Sequence, residues 1–336
     1  MVEPGRVGGS PGGPGYDVVE KAAAAIEKHS MLSSGGGSLV VTVSGGPDSV
    51  CLLDVLARLS PRWGLQIEVA HVDHGLSEES AEIAARVGRM GAEAGFDVHV
   101  ARAPDLSGSN LHARARDFRY EFFGIVAERI GADRVATGHT LDDRVETTLG
   151  RLIHGAGTRG LAGLRPVEGN RVRPLIDVRR VETRTYCIER ELDFYDDPAN
   201  ADDRFERAKI RSGVLRMIEE DWGDGAVRAI ARSAELLKED AVMLEELADG
   251  LFGQMAKHEE EATSFDLDAL KGIPRPFRRR LLERAVGEIR DRAPGIEAVM
   301  DALDKGTSNV PARFSLTSGI EVIIESDKVV VSRMPS

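Results

Sequence analysis

Val40-Val41-Thr42-Val43-Ser44-Gly45-Gly46-Pro47-Asp48-Ser49 is the stretch that decides the fold. Its opening residues are β-branched and read as a buried strand, the turn after them is built of Ser and Gly, and Val50 to Leu59 reads as an amphipathic helix. A strand that feeds a glycine turn and a helix N-terminus can hold a pyrophosphate. Gly45 and Gly46 let backbone N–H groups approach phosphate oxygens with no Cβ in the way, Ser44 and Ser49 add hydroxyl donors, and the helix presents its positive end. A carboxylate inside such a cradle repels an anion unless it holds a cation. Asp48 is therefore expected to be a Mg²⁺ ligand for a nucleotide's phosphates. The plain alternative is a glycine turn with an Asp near a helix start.

The string lacks the Gly-Lys-Ser/Thr of a Walker A loop and is no G-x-G-x-x-G fingerprint. It resembles the PP-loop of the N-type ATP pyrophosphatases, which cleave ATP between its α- and β-phosphates and use the adenylate to activate a substrate. The resemblance implies that Ser44, Gly45, Gly46, Pro47, Asp48 and Ser49 hold pyrophosphate and Mg²⁺, with His71 and Gly138 completing the nucleotide site.

Outward from the loop, the chain alternates strands and helices. Leu39 to Val43, Gln66 to His71, Phe96 to Ala101 and Arg134 to Thr137 read as strands, and Ser49 to Leu59, Glu78 to Gly95 and Leu111 to Ile130 as the helices between them. This pattern predicts a parallel sheet covered on both faces, with ligands at the carboxyl ends of the strands, where the motifs fall. A helix is expected over Tyr16 to Leu32, behind a disordered leader at 1–15. The α/β catalytic domain is expected over 16–215, and Glu219 to Gly225 reads as an acidic break. A smaller, mainly helical C-terminal domain follows over 226–336. Its helices are expected over Ala226 to Lys257, Pro276 to Ile289 and Ile296 to Leu303, and its closing β-hairpin pairs Ile320 to Glu325 with Lys328 to Arg333.

With 336 residues, 42% hydrophobic and 30% charged, the chain can bury about two domain cores. No apolar run reaches the roughly 18 residues of a membrane helix and no secretory signal opens the chain, so a cytoplasmic protein without a membrane partner is expected. The cysteines, Cys51 and Cys187, form no C-x-x-C and read as reduced core thiols. A net charge of −12 argues against indiscriminate nucleic-acid binding, while leaving room for a local basic face.

Two further constellations carry chemistry. In Gly138-His139-Thr140-Leu141-Asp142-Asp143-Arg144-Val145-Glu146-Thr147, Asp142 and Glu146 would share one helix face, with Asp143 beside it. Acids suit a helix start by themselves. Facing an ATP loop, they could instead hold metal, bind an ammonium or take its proton. His71-Val72-Asp73-His74-Gly75-Leu76 has too few ligands for structural zinc.

These segments occur in order with Asn110-Leu111, Arg116-Asp117-Phe118-Arg119-Tyr120, Arg151-Leu152-Ile153-His154-Gly155, Gly160-Leu161-Ala162-Gly163-Leu164, Arg173-Pro174-Leu175 and Asp197-Pro198-Ala199-Asn200. The order resembles the tRNA(Ile)-lysidine synthetase family, strongly from Leu39 to Arg211 and weakly beyond. The resemblance implies an adenine nucleotide alpha hydrolase-like (PP-loop ATPase) fold, ATP and Mg²⁺ as cofactors, and free L-lysine and an isoleucine tRNA with a CAU anticodon as partners. A homodimer is admitted as an assembly. It implies a ligase that adenylates the wobble cytidine at the C2 oxygen and then lets the lysine ε-amine displace AMP. Asp48, Asp142, Asp143, Glu146 and Arg116 are the catalytic expectation, with Asp48 and Asp142 as metal ligands. Arg119, Arg151, Arg173, Arg207, Arg211, Arg278, Arg279 and Arg280 are the expected tRNA contacts. The chain is expected to be too short for the extra domain that some members append.

Departures fall mainly on the acceptor half. Ser77 stands where Arg is usual, His112 for Glu, Arg144 for Gln, His154 for Arg and Ala208 for Asn. Competing readings are a tRNA thiolase, which would want paired cysteines; an ammonia-using amide synthetase, whose later motifs do not match; and a nucleotide-binding regulatory module without turnover.

Overall fold

The computed structural model describes residues 15–33, 35–75, 79–104, 111–196, 206–259, 262–287, 296–306, 310–316 and 319–334. The leader at 1–14, Leu76, Ser77, Asn110, the side chains of Leu111 and His112, and Asp197 to Asn200 lie outside the described residues. The chain forms two compact units, one of Met1–Gly155 with Gly163–Ala234, the other of Ala156–Ala162 with Glu235–Ser336.

In the first unit, α1 (Tyr16–Lys28), β1 (Gly37–Thr42), α2 (Pro47–Trp63), β2 (Leu65–Asp73), α3 (Ser80–Glu93), β3 (Val98–Arg102), α4 (Leu111–Ile130), β4 (Arg134–Ala136) and α5 (Leu141–Ile153) follow the alternation read from the sequence. α6 (Thr158–Leu161) belongs to the second unit. The chain then returns as β5 (Val167–Glu168), β6 (Arg171–Val172), α7 (Arg180–Glu189), α8 (Glu206–Lys209), a π-helical turn at Ile210–Leu215, α9 (Arg216–Trp222) and the start of α10 (Asp224–Met255).

The sheet order is β3-β2-β1-β4-β6-β5. β1 lies centrally, parallel to β2 on one side and to β4 on the other, with Val41 opposite Val69 and Ala136. β6 runs parallel to β4, and β5 turns back antiparallel at the edge through Gly169, where φ is 61°. This edge hairpin was not expected; two-residue strands are too short to display an alternation. Along β1 the side chains divide as a pleat requires. Leu39 and Val41 join the core under α1, α2 and α7, whereas Val40 packs with Phe123, Val126 and Val135 under α4.

Succession departs from β1 toward β2 and later resumes on β1's other flank at β4, so the strand order reverses between them. Such a switch point leaves a crevice at the carboxyl ends of the strands. α2 starts after β1 and α5 after β4, which sets the starts of both helices at that crevice. Gly138 makes the approach possible, since a Cβ there would stand 3.1 Å from the Asp48 carbonyl oxygen and 3.2 Å from Ser49 Cα.

α1 stops at Lys28, short of the expected Leu32, because the chain turns through Ser30 at φ 48° and buries Met31. The expected break at Glu219 to Gly225 contracts to Gly223, φ 75°, between α9 and α10. The boundary between units falls inside α10.

In the second unit, the rest of α10 is followed by β7 (Lys257–Glu259), β8 (Ala262–Asp266), α11 (Leu267–Gly272), α12 (Arg275–Ala285), α13 (Ile296–Lys305), β9 (Ala312–Leu316), β10 (Ile320–Ile324) and β11 (Lys328–Arg333). The expected hairpin is β10–β11, with Val322 opposite Val331, and it forms the middle of an antiparallel sheet ordered β7-β8-β11-β10-β9. Phe265, Leu281, Leu282, Met300, Val322 and Val329 make its core. β8 and β9 escaped notice because each is five residues long, and the burial of β8 does not alternate. Among the described residues, no helix is long and apolar enough to cross a membrane.

Candidate active site

The turn after β1 is held from within. Ser49 Oγ donates to the Gly46 carbonyl at 2.9 Å and accepts from the Ser44 N–H at 3.1 Å, Ser44 Oγ lies 3.1 Å from it, and the Tyr195 N–H donates to the Gly45 carbonyl at 2.8 Å. Gly45 adopts φ 93°, a conformation a side chain would strain. Gly46 caps α2, Pro47 occupies its first turn, where an N–H has no helical partner, and Asp48 follows.

Asp48 accepts a hydrogen bond from the Thr183 hydroxyl and one at 3.4 Å from Arg180 Nε. Burial pushes its carboxyl up to about 6, against the pull of Arg180 and Thr183. Asp143 sits in a capping box: its Oδ2 accepts from the Thr140 N–H at 2.8 Å and hydroxyl at 3.0 Å, and its Oδ1 accepts from Arg180 Nη2 at 3.0 Å. Burial raises this acid too, but Arg180, His139, Arg207 and the Thr140 N–H outweigh it and hold Asp143 at about 2. Glu146, 1% exposed, accepts from Arg180 Nη1 at 2.8 Å and from Arg211 at 2.8 and 3.2 Å. One guanidinium thus joins the PP-loop acid to two acids of α5.

Asp142 stands apart from this group. Arg179 grips it with Nε and Nη2, both at 3.1 Å, and the Arg180 N–H donates to Oδ2 at 2.7 Å. Arg179 also meets Glu219 and Asp224, so Asp142 anchors the start of α7 to α5. In this structure both oxygens of Asp142, expected as a metal ligand, are engaged by Arg179, and Oδ2 also by the Arg180 N–H. Asp48 and Asp143 are hard oxygen donors, and Mg²⁺ is commonly held by one or two carboxylates with substrate phosphates, so these two fit that ion. Among the described residues, no group of three or more His, Cys, Asp or Glu forms a metal cage.

Arg179, Arg180 and Thr183 were missed by sequence reasoning. A signal was available: two basic side chains at the start of a helix oppose its dipole and call for carboxylates from elsewhere.

The remaining expected residues scatter. His71 Nδ1 lies 2.7 Å from the Val43 carbonyl, and burial lowers its pKa, so the ring is neutral with its proton on Nδ1. Its Nε2 has no partner among the described residues. Burial holds the His139 imidazole down at about 4 despite Asp143. Arg116 and Arg119 both lie 5.5 Å from the Tyr120 ring centroid, with Arg171 at 4.6 Å, and Arg116 is exposed.

Arg151 donates to the Gly163 carbonyl at 3.2 Å. Arg173, 1% exposed, is a core arginine bound to the Arg165 carbonyl and to Glu168 at 2.8 Å, which corrects its expected tRNA contact. Arg207 is the open one, 51% exposed and 3.9 Å from Asp143. In the second unit, Arg278 pairs with Asp304 at 2.8 Å, Arg279 with Glu297 at 2.6 Å and Arg280 with Glu245 at 2.9 Å, so the expected phosphate-binding helix directs these arginines to acids of α13 and α10.

Of the departures, Arg144 is buried beside Asp177 at 3.4 Å, His154 meets Glu206, and Ala208 is buried on α8. Both cysteines are free and buried, with Cys187 Sγ donating to the Pro47 carbonyl at 3.3 Å; burial and the neighbouring Cys187 push the Cys51 thiol far up.

A family model described as a PP-loop domain matches residues 17–218. The tRNA(Ile)-lysidine synthase of Caldanaerobacter subterraneus subsp. tengcongensis is 31% identical over 329 residues, 95% of this chain and 70% of that one. That of Symbiobacterium thermophilum is 36% identical, over 83% of this chain and 61% of its own, and that of Leifsonia xyli subsp. xyli is 34% identical, over 75% and 76%. This chain therefore spans about three fifths to three quarters of these relatives' lengths. Among solved structures, the U34-tRNA thiolase NcsA from Methanococcus maripaludis with its [4Fe-4S] cluster superposes with a TM-score of 0.56 at 19% identity, covering 66% of this chain and 79% of that one, a likeness of fold alone.

Proposed function

The chain belongs to the tRNA(Ile)-lysidine synthases and carries their PP-loop domain, and on that premise we propose that it joins free L-lysine to C2 of the wobble cytidine in a CAU-anticodon isoleucine tRNA, using ATP. The observation that carries this reading is the facing of Asp48 by Asp143 and Glu146 across Arg180.

The cytosine's C2 oxygen attacks the α-phosphate of ATP, giving an adenylated tRNA and pyrophosphate. The lysine ε-ammonium gives up a proton to water, the free ε-amine then attacks C2, and AMP leaves. Ser44, Gly45, Gly46, Ser49 and the start of α2 hold the leaving pyrophosphate, where backbone and hydroxyl donors are already ordered by the Ser44–Ser49 contacts. Mg²⁺, held by Asp48 with Asp143, would neutralise phosphate charge during adenylation. Asp143 and Glu146 receive the lysine ammonium. Held at about 2, Asp143 is a firm anion at neutral pH and a poor proton acceptor, so it positions the amine and does not deprotonate it. Arg207, exposed at the rim, is our candidate for a phosphate contact. Action on a tRNA supports a cytoplasmic protein. The thiolase alternative has no exposed thiol to use.

Incubation with ATP, Mg²⁺, labelled lysine and total tRNA, followed by nucleoside analysis, tests the proposal. Lysidine is expected in the isoleucine tRNA. Pyrophosphate release with no lysine in any nucleoside would overturn the acceptor assignment.

A further inference from the structure

The acids of the site differ in how their charge is met. Asp142 has a bidentate Arg179, which it shares with Glu219 and Asp224, and Glu146 keeps Arg211 at 2.8 Å whatever Arg180 does. Asp143 and Asp48 have no comparable second cation: Arg207 stands 3.9 Å from Asp143, and Asp48 otherwise has the neutral Thr183 hydroxyl. Arg180 itself starts α7, against the helix dipole, and is held there by carboxylates from two other elements. Its side chain is 24% exposed, within reach of solvent and of a ligand entering the crevice.

We infer that Arg180 is a displaceable counter-cation: it holds Asp48, Asp143 and Glu146 apart and oriented in the ligand-free protein, and the cations of the reaction compete with it for Asp48 and Asp143. The inference rests on the lysine-ligase reading for its amine arm and on the geometry alone for its metal arm. Three carboxylates converging without a cation would repel one another and distort the starts of α2 and α5. A guanidinium that touches all three keeps the anionic site assembled at the expense of affinity. A divalent ion or ammonium binds only to the fraction of molecules in which Arg180 has released an acid, which weakens its apparent affinity in proportion. Release leaves Glu146 neutralised by Arg211 and frees Asp143 Oδ1, since Oδ2 stays engaged by Thr140. Arg180 acts through these acids and is a positioning residue.

Arg180→Gln and Arg180→Lys in the full chain test this. Mn²⁺ binding to the nucleotide-free protein, followed by electron paramagnetic resonance, needs no turnover. Arg180→Gln should bind Mn²⁺ about fivefold tighter than wild type, with Arg180→Lys in between, because a single ammonium cannot span three acids. With ATP, Mg²⁺ and tRNA, the KM for lysine should fall by a similar factor while kcat drops, as the acids lose their orientation. A merely structural arginine would instead weaken Mn²⁺ and raise that KM together. Should Arg180→Gln not fold, Arg180→Lys carries both readouts. Unchanged or weaker Mn²⁺ binding in a folded variant overturns the inference. If wild-type protein transfers no lysine, the ligase reading has failed, and the Mn²⁺ comparison still decides the role of Arg180.

Discussion

Two arginine-rich helix starts, Arg179-Arg180 on α7 and Arg275 to Arg280 on α12, look alike in composition and behave differently. On α12, Arg275 and Arg279 meet Glu297, and Arg275 and Arg278 meet Asp304, mostly as partly exposed pairs along neighbouring helices. On α7, each arginine reaches several acids that other parts of the chain bring in, and Arg179 is 3% exposed. Partners at the surface can be exchanged for water at little cost, whereas a buried charge stripped of its partner has nowhere to go. Charge density in a sequence therefore says less about function than where the opposite charges come from.

Asp48 is where the largest effect is expected. Asp48→Asn should abolish pyrophosphate release while raising stability. The folded carboxyl, near 6 against an unfolded 3.8, favours the fold below 3.8 and loses that contribution as pH rises through 6. At pH 7, without nucleotide, the ionised acid is a net cost of up to about 3 kcal/mol, which Asn removes in part. A less stable variant, or one that turns over normally, would refute the assignment of the loop.

Asp142→Ala should destabilise the protein by about 3 kcal/mol, read from the urea midpoint, because it removes the bidentate partner of the buried Arg179 and leaves it only Glu219 and Asp224. A loss under about 1 kcal/mol would place Asp142 among the exchangeable pairs.

His139 sharpens the picture through pH. Its folded pKa of about 4 lies below the unfolded 6.5, so its contribution is full above 6.5 and is lost as pH falls through 4, up to about 3 kcal/mol. His139→Gln should remove that loss and lessen the drop in Tm between pH 7.5 and 4.5. An identical drop would assign the acid sensitivity to other groups.

The smallest effects belong to α12 and the rim. Arg279→Gln should cost about 1 kcal/mol or less and leave the salt dependence of tRNA binding unchanged. Arg207→Gln should lower the log–log salt slope by about one unit. The opposite result would return the tRNA surface to α12.

The order of β1 to β4 and their helices, and the positions of the PP-loop and the acids of α5, were legible in the sequence because each is written within a few neighbouring residues: a β-branched run, a Ser/Gly turn, a helix start. The β5–β6 hairpin and the strands β8 and β9 were not, since segments this short carry too few alternations. Which arginines matter was also hidden. Arg173, from a quoted motif, is packed in the core, while Arg180, which drew no notice, meets an acid 132 residues away.

Local propensity and burial patterns along single elements are enough to specify the α/β frame, the loop and the list of acids. How those acids divide depends on the folded chain: Asp142 goes to an anchoring arginine, and Asp48, Asp143 and Glu146 to one shared cation. The reason is physical. A carboxylate's role depends on which charges lie within a few ångströms and how much water remains, and both are fixed when β1 and β4 become neighbours and α7 returns across their ends.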